Sequence, residues 1–205
     1  MTDSPITHFL AALEHRYQRQ PDAEVAAFLR ANFSLRELSE KQHLIEAGDD
    51  AREMFFFHSG LFRVYYIDHQ GNEVNQQFYQ PGEVLAPVFS LATAEPSPFY
   101  LQSLRQAQVL VADYQQLSQQ GSRDVTWLSM ENAFLTSVFL KTARREAQML
   151  LGGAEQRYRW FLKENPQLAE QLPLYQIASY LGVTPVSLSR LRKKLSQSST
   201  SVNRP

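Results

Sequence analysis

The chain has 205 residues, 43% of them hydrophobic, enough for one large packed core or two small ones. It contains no cysteine, which excludes disulfides, thiolate-held iron–sulfur clusters and cysteine-ligated zinc fingers. The net charge of −1 conceals a division: residues 1–140 carry 9 basic against 17 acidic side chains, and residues 141–205 carry 11 against 4.

A basic C-terminal third on an acidic remainder suggests a polyanion-binding module joined to a module with another task. A solvated basic tail would give the same count, so charge alone does not choose between the two. Met1-Thr-Asp-Ser-Pro5 lacks the basic start and apolar run of a secretory signal. No stretch approaches the roughly 20 apolar residues that cross a bilayer. The expected location is the cytoplasm, with no membrane partner.

In chain order, residues 6–38 show helical spacing (Phe9, Leu10, Leu13, then Val25, Phe28, Leu29) with a break at Gln20-Pro21. From Lys41 to Asp113 the character changes to short β-branched and aromatic runs. Strands are expected at 54–58, 61–67, 74–79, 99–104 and 107–111. Gly48-Asp-Asp50, Ser59-Gly60, His69-Gln-Gly-Asn72, Pro81-Gly82 and Pro96-Ser-Pro98 supply the turns. Such spacing predicts an antiparallel barrel or sandwich of the jelly-roll kind.

Between Arg123 and Leu151 no proline or glycine interrupts the chain. Leu128, Leu135, Phe139, Ala143 and Leu150 fall on one apolar stripe, with Trp127, Phe134 and Val138 beside it. A helix of about 28 residues runs roughly 40 Å, longer than a small core needs, and dimerisation along the longer stripe is the favoured use. Gly152-Gly153 makes a hinge, and 154–164 reads as a further amphipathic helix ended near Asn165-Pro166.

The segment Leu174–Leu195 carries the strongest functional signal. Ile177, Ala178, Leu181, Val183, Leu188 and Leu191 stand where a helix-turn-helix needs inward-facing small or apolar residues. Gly182 suits the turn, Thr184 is a good N-cap, and Pro185 fits the first position of the next helix. That helix carries Ser187, Ser189, Arg190, Arg192, Lys193 and Lys194 with no acidic residue. It is built to enter a groove of DNA.

The order of acidic β-domain, long helix, glycine hinge and helix-turn-helix resembles the Crp/Fnr (catabolite activator) family of bacterial transcription regulators. The resemblance rests on Gly48-Asp49, Gly60, the Gly71 turn, Pro81-Gly82-Glu83 and, above all, Ile177–Thr184 onward to Ser189-Arg190. It implies an α+β fold: a cyclic-nucleotide-binding-like jelly-roll β-roll with N-terminal helices (1–120), a long central dimerisation helix (121–151) and a helix-turn-helix DNA-binding domain (154–195). Residues 196–205 are expected to be a disordered tail. The implied partners are a palindromic double-stranded operator, a second copy of the chain and RNA polymerase.

Two departures limit what the resemblance carries over. Cyclic-nucleotide-binding members use a Gly-Glu pair on the ribose and an Arg-Ser/Thr about a dozen residues later on the phosphate. Gly82, Glu83 and Ser97 are the candidate effector residues here, but Pro96 falls near where the arginine should stand. A buried phosphate without an arginine or lysine is disfavoured, so control by cAMP is not expected and no cofactor is assigned. In the recognition helix the best-known members begin Arg-Glu, where this chain has Pro185 and Val186, leaving Arg190 for a bidentate guanine contact. Val186 would touch a thymine methyl, and the β-wing after the helix has no counterpart.

The candidate DNA-binding residues are therefore Thr184, Val186, Ser187, Ser189, Arg190, Lys193 and Lys194. Histidines 8, 15, 43, 58 and 69 form no HxH or HExxH pattern, so surface or hydrogen-bonded roles are favoured over metal ligation. No nucleophile–base pair stands out, and no enzyme activity is expected. The rival readings are an interaction or ligand-binding module with a vestigial helix-turn-helix, and a jelly-roll metal enzyme.

Overall fold

A computed structural model describes residues 4–18 and 20–201. The chain separates into two compact units: one reaches to Ile67 and resumes over Gln76–Val138, the other comprises Asp68–Asn75 and everything from Phe139.

The first unit begins with helices α1 (Pro5–Tyr17) and α2 (Ala23–Asn32). Pro5 opens α1 where its missing N–H is harmless, and the Asp22 carboxylate caps α2 by accepting from Val25 N at 2.9 Å. Eight strands follow: β1 (Ser34–Leu38), β2 (His43–Ile45), β3 (Glu53–Ser59), β4 (Phe62–Ile67), β5 (Glu73–Tyr79), β6 (Val84–Leu85), β7 (Tyr100–Ser103) and β8 (Ala107–Asp113). They form two four-stranded sheets, in the orders β1-β8-β3-β6 and β2-β7-β4-β5. The architecture is α+β with a jelly-roll β-roll.

Period-two alternation decides which side chains fill the roll. Phe55 and Phe57 of β3 and Val109 and Val111 of β8 join Phe62, Val64, Leu85 and Leu101 in one buried core. The alternate residues Met54, Phe56, Leu110 and Ala112 join a second core with Phe9, Leu13, Val25, Leu29, Leu117, Trp127 and Met130. The sheet holding β3 and β8 is thus buried on both faces, which explains why these strands read as unbroken apolar runs.

Several elements were not expected from the sequence. Residues 34–38 form β1, paired in register with β8 from Ser34↔Val111 to Leu38↔Ala107, rather than the end of a helical stretch. The short strands β2 and β6, and helix α3 (Val88–Thr93), also escape a periodicity reading because each is too brief to show a period.

After α4 (Tyr114–Gly121) comes α5 (Val125–Leu151), 27 residues long, its first turn capped by Asp124 accepting from Trp127 N at 2.7 Å. The two apolar stripes of α5 differ in their surroundings. Trp127, Met130 and Phe134 are buried, whereas Leu128, Leu135, Val138, Phe139 and Leu150 are exposed, Phe139 at 70% and Leu150 at 75%.

The second unit contains α6 (Ala154–Glu164), α7 (Pro166–Gln171), α8 (Leu174–Leu181) and α9 (Pro185–Ser201). Helix α9 runs past Leu195 to Ser201, so residues 196–201 are helical rather than the expected disordered tail; residues 202–205 lie outside the described ones. No helix among the described residues is long and apolar enough to cross a membrane.

Candidate nucleic-acid interface

Helices α8 and α9 are joined by a turn that the local sequence dictates. Gly182 ends α8 in the left-handed region, at φ 65°, and its N–H reaches the Ala178 and Ser179 carbonyls. Val183 N also donates to Ala178 O at 3.0 Å. Thr184 then caps α9: its Oγ1 accepts from Ser187 N at 3.1 Å and lies 2.8 Å from Ser187 Oγ. Ile177, Ala178, Leu181 and Leu188 are buried, which fixes the face that α9 turns outward.

That outward face carries Val186, Ser187, Ser189, Arg190 and Lys193, all exposed, with Val186 at 59%. Val186, Arg190 and Lys193 stand at i, i+4 and i+7 and share one stripe. No ion pair or hydrogen bond engages the Arg190 or Lys193 side chain among the described residues. Lys194 differs: its ammonium pairs with Glu155 at 3.5 Å, and Glu155 also accepts from Arg159 Nε and Nη2. Arg159 first, then Lys194, holds the Glu155 carboxyl below its ordinary pKa.

Several side chains that brace this motif were not identified from sequence. Arg157 donates from Nε to Gly152 O at 2.9 Å and from Nη1 to Leu181 O at 3.0 Å, tying the glycine hinge to the end of α8. Arg145 donates to the carbonyls of Tyr180 and Asn75, and its guanidinium lies 5.0 Å over the Tyr180 ring. Burial pushes the Tyr180 phenol up to about 12, against the opposing pull of Arg145. Within the same unit Asn75 Nδ2 donates to Gln176 O and Oε1, Asn75 N donates to Ser179 Oγ, and Ser179 Oγ donates to Glu73 O. Apart from Arg157 and Gly152, these partners are far apart in sequence, which is why no local signal announces them.

The candidate effector residues are arranged differently. Gly82, at φ 86°, and Glu83 belong to the turn between β5 and β6. Gly82 N donates to Phe57 O, and the Glu83 carboxylate accepts from Gln80 N at 2.7 Å, closing its own turn. Ser97 is buried before β7, where its hydroxyl donates to Phe99 O and accepts from Phe99 N. No hydrogen bond joins Ser97 to Gly82 or Glu83 among the described residues. The stretch 82–99 contains no arginine or lysine. These residues do not fit a clamp on a cyclic phosphate.

Three of the histidines take hydrogen-bonded places. His8 Nδ1 and His58 Nδ1 lie 3.0 Å apart, and His43 Nε2 lies 2.9 Å from Tyr65 Oη. Burial first, and the neighbouring His8 second, hold His58 below the ordinary histidine range.

The chain is similar in sequence and in fold to known proteins. Residues 35–124 match the cyclic nucleotide-binding domain. The fumarate and nitrate reduction regulatory protein of Vibrio cholerae is 26% identical over 174 residues, covering 78% of this chain and 68% of that protein. Among solved structures, FixK2 from Bradyrhizobium japonicum aligns with a TM-score of 0.69 at 16% identity, covering 82% of this chain and 86% of that one. The c-di-GMP-responsive global regulator CLP of Xanthomonas campestris aligns with a TM-score of 0.70 at 16% identity, covering 87% and 93%.

Proposed function

We propose that the chain is a DNA-binding transcription regulator of the Crp/Fnr type that reads a palindromic operator as a homodimer through the outward face of α9. Its match to the cyclic nucleotide-binding domain and its likeness to a regulatory protein support this reading. The observation that carries this reading is the stripe of Val186, Arg190 and Lys193, exposed on a capped helix and with both cations unspent. Arg190 makes the bidentate contact to guanine O6 and N7, Val186 meets a thymine methyl, and Thr184, Ser187 and Ser189 flank them. Lys193 binds phosphate; Lys194 contributes less because Glu155 already engages it.

The dimer is proposed on the exposed stripe of α5, where Leu128, Leu135, Phe139 and Leu150 await a matching surface. A two-fold arrangement would set the recognition helices about one DNA turn, roughly 34 Å, apart. RNA polymerase is a proposed further partner of the DNA-bound dimer. This reading includes no cAMP-dependent control through Gly82, Glu83 and Ser97, because the 82–99 stretch supplies no arginine or lysine for a cyclic phosphate. Selection of bound duplexes from random sequence tests the proposal. A recovered palindrome with half-sites one helical turn apart is expected; retention without sequence enrichment would overturn it.

A further inference from the structure

Within the first unit, beneath the first turns of α5, lies an apolar cavity of about 40 Å³. Leu13 and Leu29 line it from α1 and α2, Met54 from β3, and Met130 and Phe134 from α5. Three further lining residues bring polar atoms: Trp127, Tyr114 and Glu131. Tyr114 and Glu131 answer one another, since the phenol donates to the carboxylate. Trp127 is only 6% exposed, and its indole Nε1–H finds no acceptor among the described residues. The ring is also held in place, because it lies so close to Gly121 that a Cβ there would approach it to 2.4 Å.

These features define what the cavity accepts. Its walls take alkyl groups, and its lining atom without a hydrogen-bond partner among the described residues, Trp127 Nε1, is a donor, which calls for an acceptor oxygen. Glu131 is the sole ionisable side chain besides Tyr114 in the lining, so an anion is disfavoured and a neutral ligand fits. A water needs about 10–15 Å³ of such space, so the cavity holds about three to four non-hydrogen atoms. The unbranched thioethers of Met54 and Met130 allow modest widening.

We propose that this cavity is a binding site for a neutral short-chain alcohol or ketone, its oxygen accepting from Trp127 Nε1 and its alkyl part packed on Met54 and Met130. A ligand this small binds with a Kd of about a millimolar or weaker. The site does not involve Gly82, Glu83, Ser97 or α9, and the inference stands independently of the DNA-reading proposal. Trp127, Met130 and Phe134 form the buried stripe of the same helix whose exposed stripe carries Leu128 and Leu135, so occupancy bears directly on α5.

The test uses the full chain labelled at its four methionine methyls, with Met149 as internal control. Titration with 1-propanol should shift Met54 and Met130 together along one saturable curve while Met149 changes only linearly. Xenon, which fills dry apolar space but accepts no hydrogen bond, is the comparison probe. Trp127→Phe should weaken propanol binding at least fivefold and leave xenon binding within twofold. Val84→Leu, a small filling change in the cavity wall, should weaken both probes, and it decides the matter if Trp127→Phe fails to fold. Shifts that do not saturate, propanol binding unchanged by Trp127→Phe, or both probes unaffected by Val84→Leu would overturn the proposal.

Discussion

Two regions of the molecule spend their polar side chains in opposite ways. In the β-roll, the Glu83 carboxylate and the Ser97 hydroxyl both close on backbone within three residues, which builds rigid turns. At α9, Thr184 spends its hydroxyl on the cap, and Arg190 and Lys193 are exposed and unengaged among the described residues. A recognition surface needs side chains that the fold has not already used. By that measure the helix-turn-helix is an open site and the 82–99 stretch a closed one, although both stand where the family resemblance pointed.

The same distinction sorts the basic residues of the C-terminal third. Arg145 and Arg157 hold backbone carbonyls, and Arg159 and Lys194 share Glu155. The positive charge available to a phosphate is smaller than the composition suggests. Each contrast can be broken by substitution.

The largest effect should come from Leu188→Ala, which opens a cavity where α9 packs. A loss of about 2–5 kcal/mol, read by chemical denaturation, should abolish DNA retention at physiological temperature. Arg157→Ala should follow at about 2 kcal/mol, because two charge-assisted bonds to carbonyls are lost together. Arg157→Lys should restore only part of this, since an ammonium lacks the planar fork that spans Gly152 O and Leu181 O. Equal stability of wild type and Arg157→Ala would show that the hinge does not depend on it.

Glu83→Ala should cost about 1 kcal/mol through the Gln80 N–H left without its acceptor, and should leave DNA affinity unchanged. A change in DNA affinity on adding cAMP that Glu83→Ala removes would contradict the closed-turn reading. The smallest effect is expected from the histidine pair. The folded state holds His58 below its ordinary pKa, so the associated stability is complete above about 6.5 and is lost as pH falls through the lower folded value. The thermal midpoint should drop between pH 7 and pH 5 by more in wild type than in His58→Gln; parallel curves would refute this.

What was legible in the sequence follows the range of the interactions. The turn of Gly182, Thr184 and Pro185 is written in local chemistry, and so are the apolar runs of β3 and β8. Strand β1 was not, because Leu35 and Leu38, spaced three apart among Arg36 and Glu37, also fit a helix; pairing with β8, 69 to 77 residues away, makes it a strand. The bracing by Arg145, Arg157 and Asn75 was invisible for the same reason: apart from Gly152, five residues from Arg157, its partners lie 24 to 104 residues distant. Among the cations proposed for DNA, nothing local separated Lys194 from Lys193; only the position of Glu155 does so.

The central claim is that Arg190 reads sequence while Lys193 reads charge. It is tested most directly by measuring affinity for a selected operator and for random duplex across a salt series, in wild type, Arg190→Ala and Lys193→Ala. Arg190→Ala should lose about 1–3 kcal/mol on the operator with little change on random DNA, collapsing the specificity ratio. Lys193→Ala should weaken both duplexes alike and reduce the salt slope by about one. Equal operator affinity for wild type and Arg190→Ala would contradict the assignment of α9 as the sequence-reading helix.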